Sequence, residues 1–173
     1  MNEFSYLVPL DRLGSREVVE QLCADPGACA ALAERFGLLS LVSLTATVRL
    51  RRVSDRGLYA VRGRFSASVE QACVVSLEPV SCRLEESFEL LYSTAPADAV
   101  DVEAVVDIDA EDPPEAVGLE GIDIGEAVAQ QLAIALNPYP RREDARSPAE
   151  YAAGDEAVEE SPFAGLRALR ADS

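Results

Sequence analysis

Residues 41–53 alternate strictly. Leu44, Ala46, Val48 and Leu50 fall on one parity, and Thr45, Thr47, Arg49 and Arg51 on the other. A period of two predicts a strand with one buried and one solvated face. Ser54-Asp55-Arg56-Gly57 reads as a turn. A second alternating run, 58–75, carries Tyr59, Val61, Phe65, Ala67, Val69, Cys73 and Val75 on its apolar parity. Gly63 interrupts that face and predicts a bulge. Ser76-Leu77-Glu78-Pro79 turns the chain into a third run, 80–92, with Val80, Cys82, Leu84, Phe88, Leu90 and Tyr92 inward. Glu86 breaks this last pattern. A turn from Ser76 to Pro79 pairs Val75 with Val80 and sets Cys73 opposite Cys82, both as buried, reduced core thiols.

Other segments read less uniformly. Phe4 to Leu10 predicts a short strand ending near Pro9. Ser15 as a cap, with Val18, Val19 and Leu22 beyond it, predicts a helix over 16–24. Asp25-Pro26 opens a second helix over 26–36, closed by Gly37. Residues 93–99 and 111–121 read as loops. Between them Val102, Ala104, Val106 and Ile108 alternate with Asp101, Glu103, Asp107 and Asp109, which predicts a strand with an acidic outer face. Asp123 and Glu126 form a capping-box pattern ahead of a helix over 124–136, with Ile124, Val128, Leu132 and Ala135 as its core stripe. Asn137-Pro138 ends it. The polar composition of 141–160 predicts disorder, and Phe163, Leu166 and Leu169 give a short amphipathic segment at 162–170. The expected architecture is an α+β domain over residues 1–140, a mainly antiparallel sheet of four to five strands packed by helices. A flexible, polar C-terminal tail over 141–173 follows.

Composition narrows the chemistry. With 173 residues, 49% of them hydrophobic, the chain is large enough for one core. It contains no apolar run of transmembrane length. Met1-Asn2-Glu3-Phe4 lacks the basic and apolar regions of a signal peptide, so a cytoplasmic location is expected. Histidine is absent, which removes histidine bases, Ser–His–Asp triads and histidine metal sites together. Cys23, Cys29, Cys73 and Cys82 form no C-x-x-C pair, and their spacing is poor for zinc; no metal or cofactor is expected.

All fifteen basic residues are arginine, against 31 acids, for a net charge of −16. Residues 1–83 carry +1, residues 84–140 carry 14 acids and no base, and residues 141–173 carry −3. Such a chain does not suit general nucleic-acid binding, which comes from neutralising phosphates. It suits solubility or a basic partner.

Three constellations remain. Across the first predicted hairpin Arg49 faces Arg62, Arg51 faces Ala60, and Arg64 faces Thr47, so four guanidiniums share one face. That is a candidate phosphate or RNA contact surface, although a solvated face neutralised by the acidic strand accounts for it too. No aromatic residue is interleaved there, which argues against base stacking. Asp101, Glu103, Asp107 and Asp109 are candidates for holding a basic protein. Cys73 as a reactive thiol is the enzymatic alternative, but no base stands near it in sequence, and a buried thiol is the plainer account.

Residues 69–80, VEQACVVSLEPV, resemble the central motif of the YceD family of large ribosomal RNA subunit accumulation proteins. Residues 122–141, from Ile122-Asp123-Ile124 to Asn137-Pro138-Tyr139-Pro140-Arg141, resemble its second block, and Ser161-Pro162-Phe163-Ala164-Gly165-Leu166 its C-terminal signature. The resemblance spans about 69–169. It falls on Cys73, Leu77, Glu78, Pro79, Asp123, Gln131, Leu132, Pro138, Tyr139 and Pro140. It is closest to the proteobacterial branch with a single cysteine in the central motif; other branches complete a C-x-x-C where this chain has Ser76. The resemblance implies a non-enzymatic role in large ribosomal subunit assembly. The implied partners are a protein of the large subunit, large-subunit rRNA, or both, with no membrane and no small-molecule substrate.

Overall fold

Near the N-terminus a two-residue strand, β1 (Leu7–Val8), leads into a single 3-10 turn at Leu10–Arg12. The computed structural model describes residues 3–14, 16–54, 57–94, 114–118 and 120–145. The chain falls into two units, Met1–Arg141 and Arg142–Ser173. Of the second, residues 142–145 are described, and there Arg142 grips Asp144 through two bonds of 2.7 and 2.8 Å.

The segment expected to be the first helix is a strand, β2 (Val18–Cys23), antiparallel to β3 (Ser40–Ser54) from Val18↔Leu50 to Cys23↔Thr45. Over six residues Val18, Val19 and Leu22 fit either period. Two adjacent β-branched valines favour the pleated form, and six ladder pairs with β3 outweigh the marginal stability of so short a helix. The proposed cap, Ser15, lies outside the described residues. Glu20 falls on the inward parity and is kept at the margin, where the Tyr6 hydroxyl (3.0 Å) and Arg12 (3.1 Å) donate to it.

The next helix, α1 (Pro26–Phe36), is as expected. The Asp25 side chain accepts from the Ala28 N–H at 2.8 Å, and Gly37 closes the helix in the left-handed conformation, φ 64°. Then come three strands of fifteen residues each: β3, β4 (Leu58–Ala72) and β5 (Pro79–Ser93). The two-residue β6 (Glu115–Ala116) lies within the expected loop and pairs parallel with Tyr92 and Ser93 of β5. The sheet order is β2-β3-β4-β5-β6, antiparallel except at its last pair. The expected acidic strand at 100–109, and the expectations for 146–173, lie outside the described residues. A second small sheet joins β1 to β7 (Ile122–Asp123), immediately before α2 (Ile124–Ala135). The fold class is α+β.

Both helices contribute to one buried cluster with the sheet's inner face. Leu32, Ile124, Val128 and Leu132 meet Leu44, Val48, Leu50, Val61, Phe65 and Val69. Asp123 ties this layer to the N-terminus. Its carboxylate caps α2 by accepting from the Gly125 and Glu126 N–H groups, and it also accepts from Tyr6 N–H (2.9 Å) and the Ser5 hydroxyl (2.6 Å). Glu126 does not complete the expected capping box. It turns to Arg35 of α1, which donates two bonds of 2.7 and 2.9 Å and a third of 3.3 Å to Glu3.

Two details of the long strands depart from expectation. Gly63 is no bulge; it stays in register between Val48 and Phe88, while the irregularities fall on β3 at Leu41/Ser43 and Arg52/Ser54. The glycine is needed for space, since a Cβ there would run into the Phe88 ring. The β4–β5 connection is also longer than expected. The ladder closes at Ala72↔Pro79, so every pairing shifts by four residues and Val69, not Cys73, faces Cys82. Residues 73–78 form a compact loop around the Cys73 sulfur, which accepts from the N–H groups of Val75 (3.5 Å) and Ser76 (3.4 Å). Cys73 N–H donates to the Glu78 carbonyl at 2.8 Å, and Leu77 is held at φ 62°. An even shift preserves facing, so Cys82 keeps the core parity, but Cys82 and Glu86 are both exposed at the thinly covered part of β5. Burial rises along the strand to Tyr92.

Gly63→Val should lower stability by about 1–3 kcal/mol through overpacking against Phe88; urea unfolding reads this directly. The Arg35 hydrogen bonds hold the Glu126 carboxyl below its ordinary value. Its stabilising effect is therefore complete above the ordinary glutamate range and is lost as pH falls through the lowered value. Glu126→Gln should be less stable than wild type at neutral pH, with the gap narrowing in acid.

Candidate nucleic-acid interface

The parity that fills the core from β3 and β4 sends the other half of each strand to solvent. On that outer face the register sets up rows of side chains across the sheet. One row runs Val19, Arg49, Arg62, Glu89; the next Gln21, Thr47, Arg64, Ser87; a third Cys23, Thr45, Ser66, Glu85. The expected hairpin register is present: Arg49 faces Arg62, Arg51 faces Ala60 and Thr47 faces Arg64. All four arginines are exposed.

Like charges placed opposite one another are unfavourable. The Arg49/Arg62 pair is relieved at its two sides, by Glu17 at 3.7 Å from Arg49 and by Glu89 at 2.8 Å from Arg62. The hydrogen bond from Arg62 to Glu89 holds that guanidinium further above its ordinary pKa. Arg83 is paired with Glu85 at 3.0 Å. Arg51 and Arg64 have no ion pair among the described residues. An open cleft of about 580 Å³ includes Gln21, Thr45, Thr47, Arg64 and Ser66 in its lining. A neighbouring one of about 410 Å³ shares Thr47 and Arg64 with it and adds Arg49, Arg62 and Ser87. The contribution of β2 to this surface was hidden by the helical reading of 16–24. The adjacent β-branched Val18 and Val19 are the one local signal for it.

The other candidates stand elsewhere. Asp101, Glu103, Asp107 and Asp109 lie outside the described residues. Cys73 is fully buried and its sulfur is engaged by two backbone N–H groups, so the thiol is out of a substrate's reach. Cys29 is buried as well, and its thiol pKa is raised by desolvation. Cys23 and Cys82 are exposed. Among the described residues no three metal-capable side chains cluster, and no helix is long and apolar enough to cross a membrane.

The first motif block and the end of the second meet, while Asp123 of the second stands at the other end of α2. Gln71 donates to the Asn137 carbonyl at 2.9 Å, and the Val74 N–H donates to the Pro140 carbonyl at 2.9 Å. The β4–β5 loop is thereby bonded to the segment that leaves α2. Cys73 and Pro140 are buried, Leu132 belongs to the core cluster, and Gln131 is half-buried. Leu77, Glu78, Pro79, Pro138 and Tyr139 are exposed. Nothing in the sequence pattern alone announces this junction, because its bonds run between residues some 66 positions apart.

The family model described as large ribosomal RNA subunit accumulation protein YceD matches residues 61–170, more than half of the chain. No curated protein and no solved structure matches it. That span takes in β4 from Val61 onward, the Cys73 loop, β5 and α2, so the motifs read from the sequence and the elements they build fall under one description: the chain belongs to the YceD family.

Proposed function

We propose that this protein is a non-enzymatic factor in assembly of the large ribosomal subunit, and that it contacts large-subunit ribosomal RNA through the outer face of its sheet. The family's description supports the ribosomal context. The observation that carries the RNA contact is the placing of Arg49, Arg51, Arg62 and Arg64 on one exposed face, with Arg51 and Arg64 unpaired among the described residues. Guanidiniums held by a rigid sheet suit phosphate oxygens, which they bind in a fork. The local charge also matters. The net of −16 comes mainly from residues 84–140, while residues 1–83, which build β2, β3 and β4, carry +1. The strands that carry this face are therefore close to neutral overall, and Arg51 and Arg64 are the guanidiniums on it left for a phosphate among the described residues. A non-enzymatic role accords with the burial of Cys73.

A second mode of action has its own support. Fourteen acids without a base across residues 84–140 favour a basic protein of the large subunit as partner, with Asp101, Glu103, Asp107 and Asp109 as proposed contacts. Such a complex should weaken steeply with ionic strength. Replacing the four acids by Asn and Gln should abolish it in a binding screen against large-subunit proteins; indifference of every interaction to those residues counts against this mode.

For the RNA contact, Arg49, Arg51, Arg62 and Arg64 replaced together by Gln should weaken RNA binding. Each lost phosphate contact should flatten the dependence of log affinity on log salt by about 0.7–0.9. Filter binding of large-subunit rRNA fragments across a salt series measures both. An affinity and slope equal to wild type at low salt would overturn the assignment of this face.

A further inference from the structure

We infer that the outer face of the sheet distinguishes RNA from DNA, because a set of unspent hydroxyls lies beside Arg64 where ribose 2′-hydroxyls would pass. The inference rests on the RNA-contacting reading above and adds to it what the face recognises. The hydroxyls of Thr45, Thr47, Ser66 and Ser87, and the amide of Gln21, have no hydrogen-bond partner among the described residues. They are not scattered. Gln21, Thr47, Arg64 and Ser87 form one row across four strands, and Thr45 and Ser66 stand in the adjacent row. Neighbouring strands are about 4.8 Å apart, and alternate residues along one strand about 7 Å apart. The result is a grid of polar tips with Arg64 inside it and Arg49 and Arg62 in the row along one side.

The occupant follows from charge and from what is missing. Arg49, Arg62 and Arg64 line the two adjoining clefts against one acid, Glu85, and call for an anion; the guanidiniums stand in two neighbouring rows, so more than one phosphate can be met. No aromatic side chain other than Phe65, which is buried, lines either cleft, so bases have no platform for stacking. Contact must therefore fall on the backbone, to phosphate and sugar. Between phosphates gripped by guanidiniums, the remaining polar group of an RNA backbone is the 2′-hydroxyl, both donor and acceptor. Thr and Ser hydroxyls have the same dual character and match it in either sense. DNA of equal charge offers the arginines the same phosphates and leaves the hydroxyls nothing to bond.

The test uses the full chain with oligouridine and oligodeoxyuridine of equal length, which differ only at the 2′ position. Affinity is titrated by fluorescence anisotropy over a salt series. Wild type should bind the RNA about 5- to 30-fold more tightly, as expected for one or two hydrogen bonds gained. Thr45→Val, Thr47→Val and Ser66→Ala together should bring the ratio near one while leaving the salt slope unchanged. Arg64→Gln should weaken both ligands and flatten the slope while keeping the ratio. Thr45→Ser with Thr47→Ser retains the hydroxyls and should keep the preference. Thermal melting confirms that each variant is folded, and Thr47→Val against Thr47→Ser carries the comparison should the triple variant unfold. Equal binding of the two oligomers by wild type, or an RNA preference that survives loss of the hydroxyls, overturns the inference. If binding in those cases still depends on the arginines, the proposed RNA contact stands without it. Binding of neither oligomer overturns both.

Discussion

The register of β4 against β3 and β5 is the constraint on which the rest of the molecule depends. Fifteen residues long and central, β4 buries Tyr59, Val61, Phe65, Ala67 and Val69 on one side and presents Arg62, Arg64, Ser66 and Ser68 on the other. A slip of one residue would turn two guanidiniums into the core, at a cost far above any single packing gain. The register is held where it is by Gly63, the one residue small enough to sit beneath Phe88 on the neighbouring strand. Core and candidate interface are thus two faces of one decision.

The inner face needs cover, and the cover is held by few polar ties. Asp123 both caps α2 and holds the backbone of Tyr6 beside it, so the N-terminal segment and the second helix are placed by one carboxylate. Arg35 and Glu126 join the two helices through a bidentate pair. Charged bonds of this geometry are directional in a way that apolar packing is not. They specify how the layer sits, while Leu32, Val128 and Leu132 supply the burial.

Two regions emerge with different characters. The junction of the Cys73 loop with Asn137 to Pro140 joins two of the motif blocks, with a buried thiol accepting backbone N–H groups and a buried proline among its residues. The outer sheet face gathers unspent polar groups and arginines, none of them in the motif blocks. The motif blocks thus hold residues that build the fold, while the proposed RNA contact rests on the face that the fold leaves open, part of which the family match also spans.

Much was already present in the chain itself. Strict alternation over long runs gave β3, β4 and β5 and the facing of Arg49 and Arg62, because a period of two sustained for a dozen residues has no competing reading. Asp25-Pro26 with Gly37, and Asp123 ahead of Ile124, marked both helices, since caps act within one turn of the chain. Tertiary structure decided the rest. The six residues of β2 fit two periods equally, and only a partner edge on β3 selects the strand. The β4–β5 loop is set by bonds from Cys73 and by Pro140 from a distant segment, so its length and the pairing of Cys82 could not be counted from turn residues. Glu126 fits a local cap but bonds Arg35, which is near only after folding. Local chemistry acts between neighbours in sequence, and those three outcomes depend on neighbours in space.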